Sequence, residues 1–95
     1  MDSIETIENA KIKFTQTGVD IYGAPYMQIG FELSNNRTVS TGLFSFNTTE
    51  KMKSILNVLE LRNWEDLPKK YARVAILRDQ VVRIGNILND KWVEI

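Results

Sequence analysis

The sequence contains no cysteine and no histidine. Without cysteine there are no disulfides, thiolate nucleophiles or cysteine-based zinc sites, and without histidine the commonest general base and metal ligand is missing. No apolar run approaches the roughly 20 residues that a membrane-spanning helix needs. Because little is left for catalysis, we expect no enzyme, no metal site and no cofactor.

Positive charge is not in excess either, since 12 basic and 12 acidic side chains give a formal net charge of zero. Such a chain has no global field that would draw it onto a nucleic-acid backbone. The charges are unevenly placed, because residues 1–50 carry three basic and six acidic side chains, whereas residues 51–95 carry nine and six. This asymmetry is a dipole that can orient an approaching partner.

The composition is that of an ordinary small globular domain, with 43% hydrophobic and 25% charged residues. Ninety-five residues are enough for one core, so we expect a single domain over residues 1–95. The first five residues carry two acidic side chains and no basic one, and they lack the basic and apolar regions of a secretory signal. We therefore expect a cytoplasmic protein that does not enter membranes.

The clearest predicted element is an amphipathic helix over residues 47–61. Asn47 and Glu50 have the spacing of a reciprocal N-terminal cap. The apolar residues that recur at helical spacing are Met52, Ile55, Leu56 and Leu59. We expect this face of the helix to pack against a sheet, with Leu56 at its centre.

Alternating residues predict strands before the helix. The first covers residues 4–15, with Ala10, Ile12 and Phe14 on its buried face, and Thr17-Gly18 is expected to turn the chain. Pro25 interrupts the start of the second extended run, which indicates a bulge or an edge. The rest of that run alternates strongly, with one apolar set on a buried face: Met27, Ile29, Phe31 and Leu33.

Asn35-Asn36 favours a two-residue hairpin into a third strand over residues 37–46. In this register Leu33 lies opposite Thr38, and Phe44 and Phe46 join the core. A loop one residue longer would instead bring Val39 and Leu43 inward, and the alternation fits both registers. Gly42 indicates either a bulge or the close approach of another group.

Beyond the helix, residues 63–68 predict a short helical turn with Trp64 in the core. Tyr71–Leu77 then reads as a strand with Ala72, Val74 and Ile76 on one face. A turn at residues 78–80 leads into a further strand over residues 81–88, and residues 91–95 form a tail that Trp92 holds against the body. The predicted class is α+β, with an antiparallel sheet of about five strands that curls into a partial barrel around the helix.

Two carboxy-terminal segments, WEDLPKKYARV at residues 64–74 and IGNILNDKW at residues 84–92, carry a resemblance to known proteins. With them the chain resembles a poorly characterised family of small accessory proteins of bacteriophages and prophages. In that family more glycines surround the position of Gly42, and a histidine stands at the position of Asn86. The resemblance implies a phage accessory protein, and small proteins of this kind often bind and block a host defence component.

Two classes of function are compatible with these features. The first is stoichiometric inhibition of a bacterial defence protein, as in an anti-CRISPR protein, which requires a shaped surface and no catalysis. The second is binding of a nucleotide signal or a short single-stranded nucleic acid, where basic side chains hold phosphates and an aromatic ring stacks on a base. A structural or assembly role in the phage is a third alternative, and a homodimer is compatible with each of them.

The candidate binding residues are Lys69, Lys70, Arg73, Arg83, Tyr22, Tyr26 and Phe44. Arg73 and Arg83 are expected within one or two rungs of each other on the carboxy-terminal hairpin. Two like charges so close favour an acidic or phosphate-bearing partner between them. The alternative is an internal ion pair to one of three acidic side chains: Asp66, Asp79 or Glu94.

Overall fold

The computed structural model describes residues 4–42 and 48–95. Within these ranges it has six strands and one α-helix: β1 Thr6–Val19, β2 Pro25–Leu33, β3 Thr38–Ser40, α1 Thr48–Leu59, β4 Tyr71–Leu77, β5 Gln80–Gly85 and β6 Trp92–Glu94. A single 3₁₀ turn, Trp64–Asp66, lies between α1 and β4. No helix in the described ranges combines the length and the hydropathy needed to cross a bilayer.

Five of the strands close into a barrel. β1 pairs antiparallel with both β2 and β4. On the far side of these two strands, β3 pairs antiparallel with β2, and β5 pairs antiparallel with β4. A parallel bridge between Ser40 and Gln80 joins β3 to β5 and closes the ring, and the side-chain amide Nε2 of Gln80 donates to the Thr41 carbonyl at 2.8 Å. The α+β class is confirmed, but the barrel is closed rather than partial, and β6 adds a sixth strand beside β5.

A bulge divides β1 into two halves. Ile12 lies opposite Phe31, whereas Phe14 lies opposite Gly30, so Lys13 is the extra residue. The inserted residue reverses which side chains point inward, because strand side chains alternate with period two. Ala10 and Ile12 are therefore buried as predicted, but Phe14 is 44% exposed, and its predicted place in the core was wrong.

The predicted turn at Thr17-Gly18 was also wrong, because β1 continues to Val19. The chain reverses instead at residues 20–24, where the Asp20 amide donates to the Ala24 carbonyl at 2.9 Å. Pro25 then begins β2 opposite Val19, at a pair where no amide donor is needed. The predicted buried face of β2 is confirmed by Met27, Ile29, Phe31 and Leu33, none more than 2% exposed.

The β2–β3 hairpin has the longer of the two predicted loops. The Leu33 amide donates to the Arg37 carbonyl at 2.8 Å, and Phe31 lies opposite Val39. Asn36 has φ of +66°, the left-handed conformation typical of the last residue of a three-residue hairpin loop. The preferred two-residue register was wrong, and Val39 is buried. The predictions for Leu43, Phe44, Phe46 and the Asn47 cap lie outside the described residues.

Helix α1 packs on the barrel, but its buried face is rotated from the predicted one. Ile55 is fully buried and Val58 is 7% exposed, whereas Leu56 and Leu59 are only partly buried. The helix ends at Leu59 with Glu60 at φ of +59°, and the Leu61 amide donates to the Leu56 carbonyl at 2.9 Å. These are the features of a Schellman cap, which stops the helix before the 3₁₀ turn.

The elements after the helix follow the predictions closely. Trp64 packs against the core, and Leu67 at the end of the 3₁₀ turn is fully buried. The bounds of β4 are those predicted, and its apolar face is confirmed, since Ala72, Val74 and Ile76 are all buried. β5 is shorter than predicted and ends at Gly85, against which the ring of Trp92 lies.

Candidate binding surface

The most exposed large apolar side chains of the described residues include two neighbours at the β1–β2 turn. Ile21 is 90% exposed and Tyr22 is 88% exposed, and Val19 beside them is 66% exposed. We call residues 19–22 the hairpin tip. An apolar cluster that folding leaves in water is a mark of a surface that another molecule covers.

The backbone of the hairpin tip is held in place by Asp20. Its carboxylate oxygen Oδ1 accepts hydrogen bonds from the amides of Tyr22 and Ala24, each at 2.9 Å. The Gly23 amide donates to the Asp20 carbonyl at 2.9 Å, and Gly23 has φ of +83°, which a residue with a side chain rarely adopts. Because these bonds order the turn, the tip presents its side chains without a large further loss of conformational entropy on binding.

Below the tip, an apolar groove runs beside the hairpin. It has a volume of about 440 Å³ and its lining includes Val19, Pro25, Tyr26, Met27 and Met52. The ring of Tyr26 lies across Gly18, where an added Cβ would come within 2.8 Å of the tyrosine oxygen. Tyr26 therefore braces the hairpin, and the tip and the groove together form a continuous region of β1 and β2.

A second concave surface lies on the outer face of β1, β2 and β3. The ring of Phe14 covers Gly30, where an added Cβ would lie 2.2 Å from the ring. Around it, a cavity of about 310 Å³ is lined by polar groups that include Lys13, Gln28, Ser40 and Asp79. Asp79 forms an ion pair with Arg37 at 2.6 Å, so this face carries little net charge.

Arg73 and Arg83 belong to a separate cluster on β4, β5 and β6. Both guanidinium groups lie over the ring of Trp92, at 4.9 Å and 4.8 Å from its centroid. Arg73 lies opposite Gly85, and Arg83 is two rungs away opposite Ala75, which confirms the predicted proximity.

Each of these two arginines has its own acidic partner. Arg73 forms an ion pair with Asp90 at 3.7 Å and donates to the Asn86 and Asn89 carbonyls at 3.0 Å and 3.1 Å. Arg83 pairs with Glu5. The internal bridges were therefore the better alternative, although the acids differ from the three predicted ones. Cation–π contacts and ion pairs already satisfy both guanidinium groups.

The structure brings Arg73 and Arg83 together but places Tyr22 and Tyr26 in a different part of the fold. Tyr22 and Tyr26 lie in the β1–β2 hairpin, and Phe44 lies outside the described residues. Lys69 and Lys70 are exposed just before β4, where the Lys69 amide donates to the Ile12 carbonyl at 2.7 Å.

Sequence reasoning missed Ile21, Val19 and Phe14. Ile21 lies between Asp20 and Gly23, and an apolar residue is unusual in such a turn. This position is the sequence feature that could have predicted its exposure. The exposure of Phe14 depends on the bulge, which no local pattern of the sequence marks. Among residues 4–42 and 48–95, no cluster of three or more acidic side chains could hold a metal ion.

No family model, no curated protein and no solved structure matches this chain. The proposal below therefore rests on the surfaces that the chain's own residues form and on the resemblance of its carboxy-terminal segments.

Proposed function

We propose that this chain is a non-catalytic phage protein that acts in the cytoplasm of the infected bacterium and blocks a host defence protein by stoichiometric binding. One observation carries the proposal, which is the ordered, exposed apolar surface of the hairpin tip. Ile21 and Tyr22 stand almost wholly in solvent on a turn whose backbone the Asp20 carboxylate fixes.

The chemistry of the tip favours a protein partner. Tyrosine is among the residues that dominate binding energy at protein interfaces, and rigid apolar anchors lose little entropy when a partner covers them. The formal net charge of zero gives no general attraction to phosphate groups. The basic residues Arg73 and Arg83 are already paired within the fold. An apolar contact, rather than an electrostatic one, is the interaction that this surface supports.

The class of target comes from the resemblance of residues 64–74 and 84–92 to phage accessory proteins. A small protein can inhibit a larger one by covering about 800 Å² of its surface, without any reaction centre. The hairpin tip with the adjoining groove is the region of this chain that best suits such contact.

The binding site is tested by capture from lysates of bacteria that carry known defence systems. We expect the immobilised parent chain to retain one defence protein at a fixed molar ratio. Ile21→Asp and Tyr22→Ala should each weaken this complex at least tenfold in affinity, because each removes an apolar anchor. Leu88→Asp is the matched control, since Leu88 is also 88% exposed but lies in the β5–β6 connection.

Two results would contradict the proposal. One is retention of the same complex by both hairpin-tip variants with unchanged affinity. The other is a complex whose affinity falls steeply between 50 and 500 mM salt, which would indicate a charged interface rather than an apolar one.

A second candidate function rests on the barrel. A closed five-stranded barrel in which the first strand pairs with the second and fourth, and the third with the fifth, resembles the OB barrel. OB barrels bind oligonucleotides or oligosaccharides on the face around strands two and three. In this chain that face carries the exposed ring of Phe14 beside Lys13, which favours a short single-stranded nucleic acid or a nucleotide signal as the ligand.

Fluorescence anisotropy with labelled single-stranded oligonucleotides tests this candidate. Stacking of a base on an aromatic ring contributes about 1–3 kcal/mol, so Phe14→Ala should weaken binding by roughly tenfold while Phe14→Trp preserves it. A panel of cyclic dinucleotides in a thermal-shift measurement tests the nucleotide alternative, because a bound ligand raises the unfolding temperature. No binding in either measurement would remove this candidate.

A further inference from the structure

The outer edge of β1 over residues 13–19 has no strand beside it among the described residues. β4 pairs with β1 only from Thr6 to Lys11, and the ladder ends where Ile12 exchanges hydrogen bonds with Lys69 and Lys70. From there to Val19, β1 is paired on one side only, with β2. An unpaired edge is a template for another strand.

The direction of the free backbone groups follows from the ladder with β2. The Asp20 amide bonds to Ala24, and bonded and non-bonded pairs alternate along an antiparallel ladder. Val19, Thr17 and Thr15 therefore occupy non-bonded pairs with Pro25, Met27 and Ile29. Ile29 fits this assignment, since its amide and carbonyl both bond to Thr41 on the other side. The amides and carbonyls of Thr15, Thr17 and Val19 thus point away from β2, along the free edge.

This edge lacks the features that usually keep strands apart. Proteins protect such edges with charged side chains, proline or a bulge. The five residues Thr15-Gln16-Thr17-Gly18-Val19 carry no charge and no proline, and the bulge lies before them at Lys13. Thr17, Gly18 and Val19 are exposed, so nothing in the described structure covers the edge.

We propose that this edge pairs with the same edge of a second copy of the chain, antiparallel about a two-fold axis at Thr17. In this register Thr17 faces Thr17 of the second copy, and Thr15 faces Val19. The three outward-pointing residues of each copy form about six backbone hydrogen bonds. The arrangement is isologous, so it closes at two copies and leaves no new edge.

The side chains are compatible with this pairing. Gln16 faces Gly18 of the second copy, where no side chain obstructs it, and no like charges meet within the paired segment. Beyond each end the register places Phe14 opposite Asp20 of the second copy, so Lys13 lies one position along from that carboxylate, and the two charges are opposite in sign. Val19 and the groove residues Thr17 and Gly18 lie within the paired segment, whereas Ile21 and Tyr22 lie beyond its ends and stay exposed in the dimer. A partner that binds through Ile21 and Tyr22 is therefore compatible with the dimer.

Sedimentation velocity tests the pairing, since the chain has a mass of 11.0 kDa and a dimer has twice that mass. We expect the parent chain to be a dimer at 100 µM. Thr17→Pro removes an amide that the β1–β2 ladder does not use, and Thr17→Lys places two like charges at the axis. Both variants should be monomers. Their unfolding midpoint should be close to that of the parent chain when the parent is diluted until it is a monomer. Thr17→Val keeps the amide and should remain a dimer.

The register is tested with single cysteines, since the parent has none. Facing residues in a bonded pair have Cα atoms about 5.5 Å apart, within the range of a disulfide. Thr17→Cys should therefore form a covalent dimer on oxidation. Thr15→Cys is the matched control on the same edge, because four residues of strand, roughly 13 Å, separate it from its copy.

A parent chain that is monomeric at 100 µM would overturn the proposal. So would a dimer that persists in both Thr17→Lys and Thr17→Pro, since it would use another surface. If Thr17→Pro fails to fold, Thr17→Lys decides between these results. Cross-linking of Thr15→Cys in preference to Thr17→Cys would overturn the register.

Discussion

The side-chain amide of Asn86 donates a hydrogen bond of 2.8 Å to the carbonyl of Val58, near the end of α1. The amide oxygen of Asn86 accepts from the backbone of Leu88 and Asn89 at 2.7 Å and 3.1 Å. Asn86 is only 7% exposed, so one buried side chain fastens the helix to the β5–β6 connection. Asn86 therefore has a structural role in this chain.

Asn86→Ala should lower the free energy of unfolding by about 1–3 kcal/mol, because it leaves the Val58 carbonyl and two amides without their partner. Chemical denaturation measures this loss. Asn57→Ala is the control, since Asn57 is exposed on α1 and should change stability by no more than about 0.5 kcal/mol. Equal stability of the two variants would show that the Asn86 contacts contribute little.

Ile55→Ala should destabilise the fold by about 2–4 kcal/mol, because Ile55 is fully buried between α1 and the barrel. Leu56→Ala should cost less, since Leu56 is only partly buried. Denaturation of both variants under the same conditions gives the comparison. A larger loss for Leu56 would mean that the helix presents the face predicted from the sequence instead.

Gly30→Ala should be destabilising because the added methyl group meets the ring of Phe14. In the Phe14→Ala background the same change should cost much less, since the obstructing ring is gone. A double-mutant cycle measures this difference as a coupling energy of about 0.5–3 kcal/mol. Additive effects would place Phe14 away from Gly30 and would contradict the bulge at Lys13.

Trp92 covers Gly85 and two guanidinium groups but is only partly buried, so Trp92→Ala should lower stability by more than about 1 kcal/mol but by less than the roughly 3–5 kcal/mol of a fully buried tryptophan. Thermal unfolding measures the change. Leu88→Ala serves as a control on a side chain that is 88% exposed. A Trp92→Ala variant that melts with the parent would show that the ring does not hold β6 to the barrel.

The sequence predicted those parts of the fold that depend on local pattern. The alternation of Met27 to Leu33 and of Ala72 to Ile76 gave the correct buried faces, because each strand keeps one face against the core. The sequence did not predict the bulge at Lys13 or the bridge between Ser40 and Gln80. The longer loop at Asn36 was the second of two alternatives. The bulge and the bridge depend on contacts between segments that are far apart in the sequence, whereas the loop at Asn36 was undecided because the alternation of the third strand fits both registers.

The candidate site was harder to predict for the same reason. The charge of Arg73 and Arg83 makes them binding candidates in the sequence, but the charge of Arg83 is neutralised by Glu5, which lies 78 residues away in the chain. Ile21 does not stand out in the sequence, because an apolar residue is ordinarily expected in the core. Only the three-dimensional structure shows that the Asp20 turn leaves this side chain in solvent.

The plating efficiency of a restricted phage measures the proposed function most directly. Bacterial strains that each carry one defence system express either the parent chain or the Ile21→Asp variant. We predict that the parent raises plating at least a hundredfold on at least one strain, that Leu88→Asp does the same, and that Ile21→Asp restores little. No increase with the parent on any strain, or an equal increase with Ile21→Asp, would contradict the account.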